Sequence, residues 1–126
     1  MLAKLAICAW SVYLGTGVKD APVVADGAAQ RPKVRLIAIE RSIVAATNAE
    51  RERYGLEPLE VDGDLMRTAR EHCAWMSNTG YFQHTQLPVA ENIAMGQEST
   101  DHVMQSWMGS SGHRANILNG GFRRIG

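Results

Sequence analysis

The sequence predicts a small α+β domain, and three observations carry that prediction. Apolar residues recur at steps of three and four in three separate stretches, the spacing of helix faces. Between the second and third stretch, "YFQHTQLPVAENIAMGQ" is broken by Pro88 and Gly96 and is too irregular for one helix. The last residues, "GGFRRIG", read as a loop entering a strand, with Phe122 and Ile125 as apolar anchors. The 126 residues are enough for one small domain, or most of one, and a hydrophobic content of 45% is enough to build its core. The 13 basic and 13 acidic residues balance to zero net charge, which removes the electrostatic reason to expect nucleic acid or an anionic membrane as partner.

The first thirty residues stand apart. After Lys4, the chain from Leu5 to Val18 carries no charge. That run is too short for a membrane span, which needs about 20 apolar residues. It fits the charged start and apolar stretch of a secretory signal, and "GAA" at 27–29 can serve as the cleavage site. Residues 1–30 are therefore expected to be a signal peptide and polar spacer, and the product to be secreted or held in the cell envelope. Membrane contact would come only through an uncleaved signal segment. Cys8 would leave with the signal, so Cys73 is expected to have no disulfide partner and to sit as a small buried hydrophobe.

From Lys33 the chain turns helical, with Leu36, Ile39 or Glu40, Ile43, Ala46 or Thr47, and Glu50 on one side. Gly55 supplies a left-handed stop and Pro58 blocks continuation. "GLEPLEVDGD" is then a connection with Leu56 and Leu59 tucked inward. Asp62 or Asp64 caps a second helix, whose Leu65, Ala69, Cys73 and Met76 share a face and which Gly80 ends. Glu91, flanked by apolar residues, lies either on an alternating strand or buried with a partner. Ser99 or Thr100 caps a third helix with Asp101 in its first turn and Val103, Met104, Trp107 and Met108 inward. "SSGHRANILNG", residues 110–120, is poor material for a helix or strand and is expected to be a loop that turns the chain.

The polar residues that could carry chemistry are His84, Glu91, Asn92, His113, Arg114 and Asn116. Two histidines and a carboxylate suffice for an open zinc site, and equally for general acid–base work. They can also pair with one another and do nothing more. The spacing does not choose, since the chain has no HExxH, no CxxC pair and no Gly-x-Ser-x-Gly elbow. Arg114 and Asn116 are natural staples for a corner, one donating five hydrogen bonds, the other donating and accepting. His72 and His102 are expected to be solvated, and Trp75 and Trp107 to be core. Basic residues are scattered and do not alternate with aromatics, against a nucleic-acid groove.

Taken in order, "TNAERERYGLEPLEVDGDL", "GYFQHT", "AENIAMGQ", "QSWMGSSGHRANIL" and "GFRRIG" resemble the bacterial branch of the CAP superfamily, which includes cysteine-rich secretory, antigen-five and pathogenesis-related proteins. The resemblance covers residues 36–126. It implies an α-β-α sandwich, here incomplete at the C-terminus, and it implies secretion. Asn48, Arg51, Asn92, Trp107, Arg114 and Asn116 are the structural members of the matching motifs. The family has a cleft lined by two histidines and two glutamates, which takes zinc or another divalent cation in some members.

On that pattern His84 matches the first cleft histidine, and Glu91 the first cleft glutamate, with Ala90 where glycine is usual. The second glutamate's position, three residues after Trp107, holds Ser110. The second histidine belongs to a later strand than this sequence contains. His113 stands at a different place in the motif order and is the candidate third cleft residue and metal ligand beside His84 and Glu91. Family membership implies no general enzymatic activity. The expected function is a secreted binding module for a small ligand, a lipid, a divalent metal or a protein. Alternatives are a metal-dependent hydrolase on the same residues, and a purely structural domain.

Overall fold

The structure, a computed structural model, describes residues 34–126 and the backbone of residues 6–11. Along the described residues the elements run β1 (Ala6–Ser11), α1 (Ala38–Arg53), β2 (Glu60–Val61), α2 (Gly63–Thr79), β3 (Ala90–Met95), α3 (Thr100–Gly109), α4 (Ser111–Ile117) and β4 (Arg124–Ile125). The α+β class is borne out, with short strands.

Local sequence explains most boundaries. At the start of α1, Glu40 reaches back to the Ile37 N–H at 2.8 Å, half of a capping arrangement. The same carboxylate takes Arg70 of α2 on both oxygens at 2.6 and 2.7 Å, which ties the two helices together. Asp62 caps α2 by accepting from the N–H groups of Asp64 and Leu65, and Gly80 ends it at φ 75°. Ser99 caps α3 through the His102 N–H at 3.2 Å. The stretch 110–120 departs from expectation. Ser111–Ile117 forms the helix α4, which packs on α3 and β3 instead of looping. A short helix with one buried anchor, Ile117, shows no apolar periodicity in the sequence.

The strand order is β2-β4-β1-β3. β1 runs antiparallel to β3 through six registered pairs, from Ala6↔Met95 to Ser11↔Ala90. β4 borrows the end of β1 at Ser11↔Ile125 and pairs in parallel with β2. The strand that pairs β3 thus comes from the segment that reads as a leader. β3 is the outer strand, and its other edge is capped by side chains: the Glu91 carbonyl accepts from Asn116 Nδ2 at 3.2 Å and the Ile93 carbonyl from Trp107 Nε1 at 3.1 Å. Glu91 to Ala94 are all buried, so β3 shows no polar alternation.

α2 packs on β1, while α1, α3 and α4 pack together and against β3. The main core is Ile43, Ala94, Val103, Met104, Trp107 and Ile117, and a second cluster joins Leu59, Phe122 and Ile125. Cys73 is disulfide-bonded, which overturns the solitary-cysteine reading. That reading set Cys8 aside with the leader, whereas the whole chain has two cysteines. Among the described residues no helix is long and apolar enough to cross a membrane.

Candidate functional site

Glu91 is the centre of the site. It projects from β3 with only 6% of its surface exposed. Its Oε2 accepts from His84 Nδ1 at 2.6 Å and from the Thr85 N–H at 3.0 Å. Its Oε1 is buried and makes no hydrogen bond, with His72 Nε2 at 3.5 Å as a near neighbour. A buried carboxylate costs several kcal/mol of desolvation unless donors surround it; here His84 Nδ1 and the Thr85 N–H serve Oε2, while His72 stands near Oε1 without bonding it.

The acceptors fix the tautomers. His72 Nε2 lies 2.9 Å from the Gln83 carbonyl, which can only accept, so this nitrogen carries hydrogen. His84 Nδ1 faces the Glu91 carboxylate and likewise carries hydrogen. In its neutral form His84 therefore keeps the Nε2 lone pair for the outside, and its side chain is 58% exposed. The His113 ring stands 6.3 Å from the His84 ring at a tilt of 44°. Burial, and then the charge of His84, lowers the pKa of His113 below its ordinary value near 6.5, so the pair favours a neutral His113.

A relay of amides places His113. Asn92 Nδ2 donates to the His113 carbonyl at 3.1 Å, and Asn116 Nδ2 donates to Asn92 Oδ1 at 2.9 Å and to the Glu91 carbonyl. Asn116 is therefore a staple, as expected. Arg114 is exposed on α4 instead, because that stretch is helical and turns its side chain outward. The corner is held by Arg51, fully buried, whose guanidinium donates to the carbonyls of Glu57, Ile117, Asn119 and Phe122. Asn48 clamps Leu59 by donating to its carbonyl at 3.0 Å and accepting from its N–H at 2.8 Å. Trp107 is core, 2% exposed, and its indole N–H caps β3.

The structure thus brings His84, Glu91 and His113 to one place. It adds His72, which the sequence places in solvent but whose side chain is only 12% exposed. The spacing that could have flagged it is His72 and Trp75, three apart on α2 and facing the same loop. Trp75, expected as core, is 38% exposed and stacks on His72. His102 is exposed in the first turn of α3, as expected.

As a metal centre the site does not fit. Among the described residues no three His, Cys, Asp or Glu side chains converge to hold an ion. Glu91 Oε2 is committed to two donors already, and Ser110 occupies the α3–α4 junction with its N–H on the Trp107 carbonyl. The arrangement can present an oriented imidazole and accept or donate hydrogen bonds.

Comparison with known proteins agrees with the motif order. The family described as "Cysteine-rich secretory protein family" (CAP) matches residues 44–126. The chain is 39% identical over 107 residues to the "Uncharacterized protein YkwD" of Bacillus subtilis, covering 71% of this chain and 41% of that protein. It is 27% identical over 104 residues to the "Uncharacterized membrane protein YlbC" of the same organism, covering 69% of this chain and 30% of that one. With the "Probable pathogenesis-related protein CaO19.6200" of Candida albicans it shares 29% identity over 73 residues, 58% of this chain and 23% of the other. The chain spans less than half the length of each of these relatives. No solved structure matches.

Proposed function

The chain belongs to the cysteine-rich secretory protein (CAP) family, and on that footing we propose that it is a secreted binding module whose small ligand meets His84, Glu91 and His113. One observation carries the reading. The buried Glu91 carboxylate holds His84 Nδ1 at 2.6 Å, which turns the other imidazole nitrogen toward an exposed edge where His113 stands 6.3 Å away, ring to ring. A surface that only braced loops would have no need to bury a carboxylate in order to aim an exposed ring. Secretion is proposed from the apolar run of residues 5–18, which also supplies β1 to the sheet, and N-terminal sequencing of exported material shows whether that run is retained as a strand or removed as a leader.

NMR of the imidazole C–H resonances tests the binding role. Titrating small-molecule fragments should produce saturable shifts at both His84 and His113. Glu91→Gln should abolish them while the rest of the spectrum stays native. A parallel zinc titration with saturable, His84-dependent binding would favour the metal-hydrolase alternative. If no fragment shifts either histidine, the binding-module reading fails.

A further inference from the structure

The carboxylate at the centre of the site is also the inner end of a column of rings. From Glu91 Oε1 the column runs to His72 at 3.5 Å, then to Trp75 with ring centroids 5.5 Å apart and planes within 12°, then to Tyr81 at 6.3 Å and 21°. Such near-parallel rings at these separations are offset stacks, the preferred aromatic geometry. Gly80, at φ 75°, reverses the chain at the end of α2 and brings Tyr81 back over Trp75. The outer members are open: Trp75 is 38% exposed, Tyr81 65%, and the next residue, Phe82, 49%.

Single exposed aromatics are ordinary, but a stacked pair followed in sequence by a third exposed ring, beside a polar site, is not. Their chemistry narrows the occupant. Residues 77–88, "SNTGYFQHTQLP", contain no Asp, Glu, Lys or Arg in a chain where 21% of residues are charged. Within this segment the rings are set among amides, hydroxyls and the His84 imidazole, and the nearest charge along α2 is the exposed Glu71, one turn before Trp75, which disfavours an anionic ligand. Leu87 is the exposed aliphatic side chain of the stretch, too little to line a groove for an acyl chain. A protein partner needs about 800 Å² per side. Three aromatic side chains of about 150–250 Å² each, roughly half exposed, offer on the order of 300 Å². Flat apolar faces edged by neutral hydrogen-bonding groups suit a sugar ring, whose C–H face stacks on an aromatic while its hydroxyls bond sideways.

We propose that Tyr81, the outer ring of the column, and Phe82 beside it form a stacking platform for an uncharged oligosaccharide, with Trp75 backing Tyr81 and His84 bonding the sugar's hydroxyls at the platform's inner edge. The inference rests on the binding-module reading of the same site and names its ligand class. The whole chain is titrated with a β-1,4-linked N-acetylglucosamine tetramer and, separately, with maltotetraose, followed by tryptophan emission and by the His84 resonance. Saturable binding of at least one is expected. Tyr81→Ala and Phe82→Ala should each weaken it about tenfold, because each removes one stacking face. Both positions are exposed, so both variants should stay folded, Phe82→Ala at the wild-type thermal midpoint and Tyr81→Ala slightly below it for the loss of its stack on Trp75. Absence of saturable binding by both sugars at millimolar concentration overturns the proposal. So does unchanged affinity in both variants, or Tyr81-dependent binding to phosphatidylcholine vesicles with none to sugar. If neither sugar binds while other fragments still shift His84 and His113, the platform fails and the cleft reading stands. If nothing shifts those resonances, both fall.

Discussion

Replacing Arg51 by methionine should remove a large part of this domain's stability, although Arg51 bonds none of His84, Glu91 and His113. The residue has no exposed surface, and its guanidinium sits where three chain segments end. Nε donates to the Glu57 carbonyl at 2.9 Å, and Nη1 to those of Ile117 and Asn119 at 2.8 Å each. Nη2 reaches the Phe122 carbonyl at 3.4 Å, a weaker contact. Burial, and then the charge of Arg123, lowers its pKa, yet a guanidinium stays protonated at any ordinary pH. Methionine fills much of the stem but donates nothing. Each stranded carbonyl costs about 1–3 kcal/mol, and relief from burying the charge offsets part of the sum. Counting the three short bonds at roughly 1–1.5 kcal/mol each gives about 3–5 kcal/mol. Against a typical total of about 5–15 kcal/mol, that brings the domain near its unfolding threshold, with a fall in melting temperature of about 15 °C or more. Arg51→Lys should fall between, at about 2–3 kcal/mol, because one ammonium cannot span acceptors from Glu57 to Phe122. Urea denaturation followed by circular dichroism measures both. A loss under about 1 kcal/mol for the methionine variant, with the denaturant slope unchanged, would refute the stapling role.

Three further outcomes are expected. Because the folded protein holds the pKa of His113 below its unfolded value near 6.5, the unfolded chain binds more protons as pH falls through that value. Stability should therefore be full above about pH 6.5 and decline below it, and His113→Asn should flatten that decline in thermal melts taken across the acid range. Asn116→Ala strands the Glu91 carbonyl and Asn92 Oδ1, so it should cost about 1–3 kcal/mol and shift the His113 imidazole resonance. Both effects should be absent in a Gln105→Ala control, a neutral substitution at an exposed position of α3. Removing residues 1–30 takes away β1 and opens the paired edge of β3, so the shortened protein should melt lower and self-associate on size exclusion unless another strand fills the edge. A monodisperse monomer with an unchanged midpoint would count against β1 as a member of the sheet.

What the sequence shows best is what repeats. The helices α1, α2 and α3 are legible from apolar steps, from Ser99 and from Gly80, because caps and faces follow local rules. β3 is not, since a strand buried on both sides has no alternation to read, and its polar pair Glu91–Asn92 resembles a loop. Nor is α4. Its stability comes from contact with α3 and β3 and from the amide relay to Asn92, none of which lies within its seven residues. β1 is hidden for a different reason. An apolar run that starts a chain satisfies the rules for a leader and for a buried strand alike, and only the presence of β3 as a partner separates them.

The site follows the same division. His84 and Glu91 can be named in sequence because they sit in motifs with fixed order, and because a carboxylate among apolar residues must be paired if it is buried. Arg114 and His72 fall the other way, the first outward and the second inward, because helix phase decides which long side chain faces the core. The helical phase of α4 sends Arg114 into solvent, and the packing of α2 against the 81–85 segment turns His72 onto the Gln83 carbonyl. His72 then does two things at once: its ring borders the Glu91 carboxylate, with Nε2 3.5 Å from Oε1, and its ring face receives Trp75. The buried charge and the exposed ring column are therefore one mechanical unit. A ligand that presses on Tyr81 and Trp75 loads the imidazole that borders Glu91, and Glu91 in turn orients His84. A ligand seated only on the platform should, for that reason, be sensed at the His84 ring.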